Sequence, residues 1–181
     1  MGKKLEGAGL RGQVAGETAL STVGKEGKGL TYRGYAIEDL AEKATFEEVA
    51  YMLLYGKLPN QDEYDSYTSK LRNYRDLPRE LKNVLTAIPK ETHPMDVLRT
   101  GTSMLGNLEP EGDFANQNDT ADRILAAMPS IMTYWYRASH FDEDVDTLTD
   151  HKTMGGQFLS CLLYTSPSPR DLSTSRMPSS A

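Results

Sequence analysis

The chain has 181 residues, 38% of them hydrophobic and 25% charged, with a formal net charge of -6 at pH 7 and a mean hydropathy of -0.54. That length suits about one domain of ~100–200 residues, and the acidic balance without a Lys/Arg cluster excludes a nucleic-acid binder, which must neutralise phosphates. There is no run of about 18 apolar residues to span a bilayer. Met1-Gly2-Lys3-Lys4-Leu5-Glu6 has no apolar core of a secretory leader. A cytoplasmic protein without membrane partners is expected. Glu6 stands where a myristoylation signal needs Ser or Thr, and the single cysteine, Cys161, excludes an internal disulfide framework.

Residues 1–17, rich in glycine and charge, are expected to be a flexible amino-terminal segment. Residues 18–23 and 29–33 carry β-branched and aromatic side chains on either side of Gly24-Lys25-Glu26-Gly27-Lys28, which predicts a small hairpin lying against the helices that follow. The same glycines do not make a phosphate loop, because the leading glycine position holds Ala19 and the hydroxyl position after the lysine holds Glu26.

Ile37, Leu40, Ala41 and Ala44 predict a two-turn helix. Residues 45–55 follow as the best specified helix of the chain. Thr45 and Glu48 form a capping box, Phe46, Val49, Ala50, Leu53 and Leu54 recur at helical spacing, Gly56 supplies a left-handed end and Pro59 blocks continuation. Asn60 and Glu63 repeat the box ahead of Tyr64, Tyr67, Leu71 and Tyr74, and Leu77-Pro78 opens a helix carrying Leu81, Val84, Leu85 and Ile88 until Pro89 stops it. The short connections describe an antiparallel helical array.

Pro94 occupies the first position of the next helix, with Thr92 or His93 as cap and Val97, Leu98, Gly101, Met104, Leu105 and Leu108 as its buried face. Gly101 and Gly106 are expected to let a second helix approach closely. After a polar loop over 109–118, a long helix is predicted over 119–139. Ile124, Leu125, Met128, Ile131, Met132, Tyr134, Trp135 and Tyr136 cover too much of its circumference for a surface helix, so it should be central, with a kink at Pro129. Residues 140–151 read as an acidic loop, and a last helix starts at Lys152.

From Cys161 the helical period stops. In one frame, residues 161–171 translate the transposon-derived adapter of sequencing libraries, 172–174 fit a sample index, and 175–181 fit the flow-cell end of the same adapter. Residues 161–181 are therefore assigned to an artefactual disordered tail, with Ser160 at the junction and 18–160 as one truncated helical domain.

Candidate chemistry is sparse. His93 beside Pro94, at the positive end of a helix dipole, reads as a capping and packing histidine rather than a general base. His140 and His151 bracket Asp142, Glu143, Asp144, Asp146 and Asp150, but read as a calcium loop this stretch holds Thr147 at the glycine position and Thr153 at the bidentate glutamate position. A solvated acidic loop is the simpler reading, and a zinc site is as weak. Ser103 and Ser130 have no nearby base, and Tyr134-Trp135-Tyr136 reads as core plus one exposed ring. No catalytic, cofactor-binding or metal-ligating residue is assigned.

Several ordered pieces nonetheless resemble one family. Ala19-Leu20-Ser21-Thr22-Val23-Gly24-Lys25, Tyr32-Arg33-Gly34-Tyr35, Phe46-Glu47-Glu48-Val49-Ala50-Tyr51, Tyr55-Gly56-Lys57-Leu58-Pro59, His93-Pro94-Met95-Asp96-Val97-Leu98-Arg99-Thr100-Gly101 and Tyr134-Trp135-Tyr136-Arg137 look like the amino-terminal part of the citrate synthase family, and more like its methylcitrate branch. The resemblance runs over about 10–159. It implies an all-α fold with a small hairpin near the start, and an intertwined homodimer. The implied reaction condenses propionyl-CoA, or acetyl-CoA in the plain citrate branch, with oxaloacetate, using acyl-CoA as substrate and no cofactor or metal. The catalytic histidines and aspartate that the family uses are expected beyond this stretch, so none of His93, His140 or His151 inherits a role and the chain alone is expected to be inert. The competing expectation is a stand-alone helical interaction module.

Overall fold

The computed structural model describes residues 16–23 and 29–163. The chain divides into two compact units, residues 1–58 and 59–181.

In the first unit β1 (Ser21–Thr22), β2 (Thr31–Tyr32) and β3 (Tyr35–Ala36) form an antiparallel sheet in that order. The expected hairpin is present, with Ser21 opposite Tyr32 and Thr22 opposite Thr31; its connecting loop, 24–28, lies outside the described residues, as do 1–15. β3 is an addition to that expectation. It returns through a two-residue turn with φ 49° at Arg33 and φ 90° at Gly34, the mirror-image geometry whose twist matches that of the strands. α1 (Ile37–Lys43) buries Leu40, and α2 (Phe46–Tyr55) is capped as read from the sequence. The Glu48 N–H donates to Thr45 Oγ1 at 3.2 Å and the Thr45 N–H donates to Glu48 Oε2 at 2.7 Å. Gly56, at φ 90°, closes the helix. The Arg33 guanidinium donates to the Leu53 carbonyl at 3.0 Å, tying the sheet turn to α2. The buried side of α2 differs from the predicted one: Met52 and Glu47 are buried, Phe46 is 59% exposed, and Val49, Ala50, Leu53 and Leu54 are half-buried. With apolar residues spread around a short helix, periodicity alone does not select the stripe that turns inward.

The second unit contains α3 (Gln61–Asn73), α4 (Arg79–Ala87), α5 (Pro94–Leu108), a 3-10 turn (Phe114–Asn116), α6 (Gln117–Phe141) and α7 (Met154–Leu162). α6 is the central element, as its apolar circumference demands, and packs against α3, α4, α5 and α7. Its 25 residues correspond to ~37 Å, two residues longer than expected at each end. Pro129 lies inside it without interrupting the helix. The principal core joins Leu77, Leu81 and Leu85 around α4 to Val97 and Leu105 of α5 and to Ala127, Ile131, Tyr134 and Trp135 of α6. The two glycines of α5 part company here. A methyl group on Gly101 would lie 2.5 Å from Cγ2 of Ile131, whereas one on Gly106 would meet nothing within 4 Å. Only Gly101 is a close-approach position.

Two expectations about the carboxy-terminal third change. The segment 142–153 is not simply solvated, because Val145 and Thr147 are 1% and 0% exposed and alternate with outward-facing Asp144, Asp146 and Leu148. Apolar and hydroxyl side chains at every second position turned the stretch inward, a signal hidden by the carboxylates between them. The predicted break after Ser160 does not coincide with a boundary, since α7 continues to Leu162 with Cys161 buried; residues 164–181 lie outside the described residues.

Candidate functional site

The three histidines belong to three different segments of the second unit. His93 caps α5, its Nδ1 accepting from the Met95 N–H at 3.2 Å, which is the capping role read from the sequence. His140 sits exposed on the last turn of α6 against the Tyr136 ring, with centroids 4.6 Å apart, and its Nδ1 lies 3.1 Å from the Tyr136 carbonyl. His151 is exposed, and its backbone carbonyl accepts from Arg75. Among the described residues no three or more His, Cys, Asp or Glu side chains are placed to hold a metal ion, and no helix is long and apolar enough to cross a membrane.

Nucleophile candidates are equally disarmed. Ser103 is exposed, and Ser130 Oγ, fully buried, accepts from Gln157 Nε2 at 2.6 Å. Burial pushes the Cys161 thiol up from its ordinary value, with Thr133 hydrogen bonding opposing it, so the reactive thiolate is disfavoured.

The structure does assemble three polar clusters, all in the second unit, that sequence reasoning missed. In the first, Asp122 of α6, 0% exposed, accepts from Tyr67 Oη at 3.1 Å and from Lys70 Nζ at 2.7 Å. Lys70 also pairs with Asp119 at 2.8 Å. Hydrogen bonds from Lys70 and Tyr74 hold the Asp119 carboxyl below the usual carboxylate range, while burial, then Asp119, raises the Tyr74 phenol. Next to it Arg123 donates Nε and an Nη to the two Glu109 oxygens at 2.7 and 2.8 Å, the bidentate geometry that suits guanidinium and carboxylate, and donates also to the Tyr74 carbonyl. These residues border a cleft of about 350 Å³ between the end of α5 and the start of α6, walled by Thr102, Leu105, Glu109, Thr120, Arg123 and Ile124. Its one guanidinium is already committed to Glu109.

In the second cluster Arg75, 0% exposed, donates to the backbone carbonyls of Thr149, His151, Lys152 and Thr153. It binds the lead-in to α7 to the end of α3, and Gln157 donates to the Thr147 carbonyl at 3.3 Å. In the third cluster Arg137 pairs with Glu143, donates to the Leu162 carbonyl, and places its guanidinium carbon 4.5 Å from the centre of the Phe141 ring. Tyr134, nearby on α6, is pushed up to about 12 by burial, then by its hydrogen bond to Asp144 and that carboxylate's charge. Each of these groups is consumed in joining elements. The one signal in the sequence was a charged residue on an otherwise apolar helix stripe, as Asp122 is beside Ala126, and a pattern of that kind does not name its partner.

These clusters join elements of the fold, and it is the comparisons with known proteins that place the chain. Residues 9–177 match the family described as "Citrate synthase, C-terminal domain". A 2-methylcitrate synthase of Shewanella oneidensis is 60% identical over 166 residues, covering 92% of this chain and 44% of the relative. The crystal structure of citrate synthase from Thermotoga maritima superposes with a TM-score of 0.73 at 32% identity, over 86% of this chain and 40% of that one. A Thermoplasma acidophilum citrate synthase, solved as a ternary complex with carboxymethyl coenzyme A and oxaloacetate, shares the fold with a TM-score of 0.76 at 22% identity, over 85% of this chain and 41% of that one. The chain thus spans under half the length of these relatives, and its all-α architecture with a small sheet is theirs. It belongs to the citrate synthase family.

Proposed function

We propose that the chain is part of a 2-methylcitrate synthase, an acyltransferase that condenses propionyl-CoA with oxaloacetate and releases 2-methylcitrate and CoA. The observation that carries this is the 60% identity over 92% of the chain to the Shewanella enzyme of that name. The chemistry is a Claisen-type condensation. A base takes the weakly acidic α-proton of the thioester while a donor steadies the enolate oxygen, the carbon attacks the ketone of oxaloacetate, and water then cleaves the thioester to free CoA. On this reading the protein acts as a cytoplasmic homodimer, needs no metal, and draws its catalytic groups from the portion of the family fold that this chain does not span. The 181-residue chain is itself inert.

The test is thiol release measured with a chromogenic disulfide. The parent enzyme recovered from the source DNA should show a higher kcat/KM with propionyl-CoA than with acetyl-CoA, and the isolated chain should release no CoA from either. A parent that prefers acetyl-CoA would instead be a citrate synthase, a reading favoured by the likeness to the Thermotoga structure. Measurable turnover by the isolated chain would defeat the assignment of the catalytic groups to the remaining portion.

A further inference from the structure

The outward side of α3 carries a feature that the clusters above do not use. Tyr67 and Leu71 of α3 are buried, so Gln61, Tyr64, Asp65 and Arg72 fall on the other side of the helix, where an ordinary solvated face would be flat. Here it lines a cleft of about 400 Å³ that Lys152 lines as well. Lys152 is held there by its backbone, through the Arg75 guanidinium that binds the carbonyls on both sides of it. The cleft is built on a fully buried anchor and does not depend on a chance meeting of two long side chains.

The charges in the cleft are not consumed. Arg72 and Lys152 have no side-chain hydrogen bond or ion pair among the described residues, and neither has the Asp65 carboxylate. Lys70, by contrast, is paired with Asp119 and Asp122, and Arg123 with Glu109. Two free cations lining one cleft, one a planar fork and one a point charge, suit the spread oxygens of a phosphomonoester dianion. The hydroxyls of Tyr64 and Ser69, which share the cleft, add donors for a third oxygen. The Asp65 carboxylate repels a second phosphate and accepts hydrogen bonds from hydroxyl groups.

From this arrangement we infer that the cleft between α3 and Lys152 is a binding site for a hydroxylated phosphomonoester of sugar-phosphate size. Arg72 and Lys152 take the phosphate and Asp65 takes the hydroxyls. The inference is independent of the proposed condensation and concerns a different face of the unit from the Arg123 cleft.

The experiment titrates the parent enzyme that contains this chain with glucose 6-phosphate, inorganic phosphate and glucose, following amide correlation NMR spectra of the deuterated protein. Glucose 6-phosphate should give saturable shifts centred on Tyr64, Ser69, Arg72 and Lys152, tighter than inorganic phosphate, with glucose alone giving none. Arg72→Gln and Lys152→Gln should each weaken binding roughly tenfold, as loss of a charge-assisted hydrogen bond does. Asp65→Asn should erase the advantage of glucose 6-phosphate over phosphate. The substituted side chains lie at the surface of the cleft, so an unchanged helical circular dichroism signal establishes that each variant is folded. No saturable shift, shifts centred on Arg123, or equal affinity in the Arg72→Gln/Lys152→Gln double variant would overturn the site.

Discussion

α6 meets its neighbours through two kinds of seam, and the contrast explains what each tolerates. Toward α4 and α5 the contact is apolar and close, with Leu81, Leu85, Val97 and Leu105 against Ile131 and Trp135, and Gly101 cut to fit Ile131. Toward α3, the 142–153 segment and α7 it is polar, with Asp122 held by Tyr67 and Lys70, Ser130 by Gln157, and Arg137 by Glu143. Dispersion and burial act over a few tenths of an ångström and are indifferent to pH, so the first seam should be sensitive to volume. The second depends on charge and on satisfied donors, so it should respond to protonation.

The largest test of that contrast is Leu85→Ala, which removes a fully buried side chain of the first seam and should cost ~2–5 kcal/mol in urea unfolding. The loss should be the same at every pH between 5 and 9; a loss that varied with pH would undo the separation of the seams. Next comes alkaline titration. Tyr134 is raised to about 12 from an ordinary ~10, so the folded state keeps its proton when the unfolded state has lost it. Its contribution is complete below about pH 10 and is lost as pH rises toward 12, of order 2–3 kcal/mol in total. Tyr134→Phe should flatten that part of the stability profile, and an unchanged alkaline slope would place the titration elsewhere.

Gly101→Ala should cost about 1–3 kcal/mol, because the new methyl meets the stiff β-branched Ile131. Gly106→Ala, in open space on the same helix, should instead stabilise by up to ~1 kcal/mol. Equal melting shifts for the two variants would show that close approach is not what Gly101 serves. The smallest effect is expected from Asp119, which is largely exposed and therefore screened. Its carboxyl is held low, so its contribution is present above the ordinary carboxylate range and disappears as pH falls through the lowered value. Asp119→Asn should narrow the difference in stability between neutral and acid pH, and more so at low salt.

Much of the architecture was readable before any coordinates. Thr45 with Glu48 and Asn60 with Glu63 specify helix starts by local hydrogen bonding, and both boxes close as expected. Such signals act within one turn of chain, so no tertiary context is needed to interpret them. The crowded apolar circumference of 119–139 likewise could only be a central helix. β3 escaped notice because two residues are too few for periodicity. The inward turn of Val145 and Thr147 escaped because the surrounding acids dominate the composition. The α3 cleft was not visible at all, since Arg72 and Lys152 are eighty positions apart in the sequence and the connection runs through the buried Arg75.

By itself the sequence determined the helical class, the two boxed helix starts, the identity of the central helix and the family, because these follow from local hydrogen bonding, apolar period and ordered motifs. Only the tertiary structure decided which stripe of α2 is buried, which glycine of α5 is a contact, and which partner each buried charge finds. Those outcomes depend on distances between residues far apart in the chain. A buried charge selects its partner through desolvation and geometry, and neither quantity exists until the helices have packed.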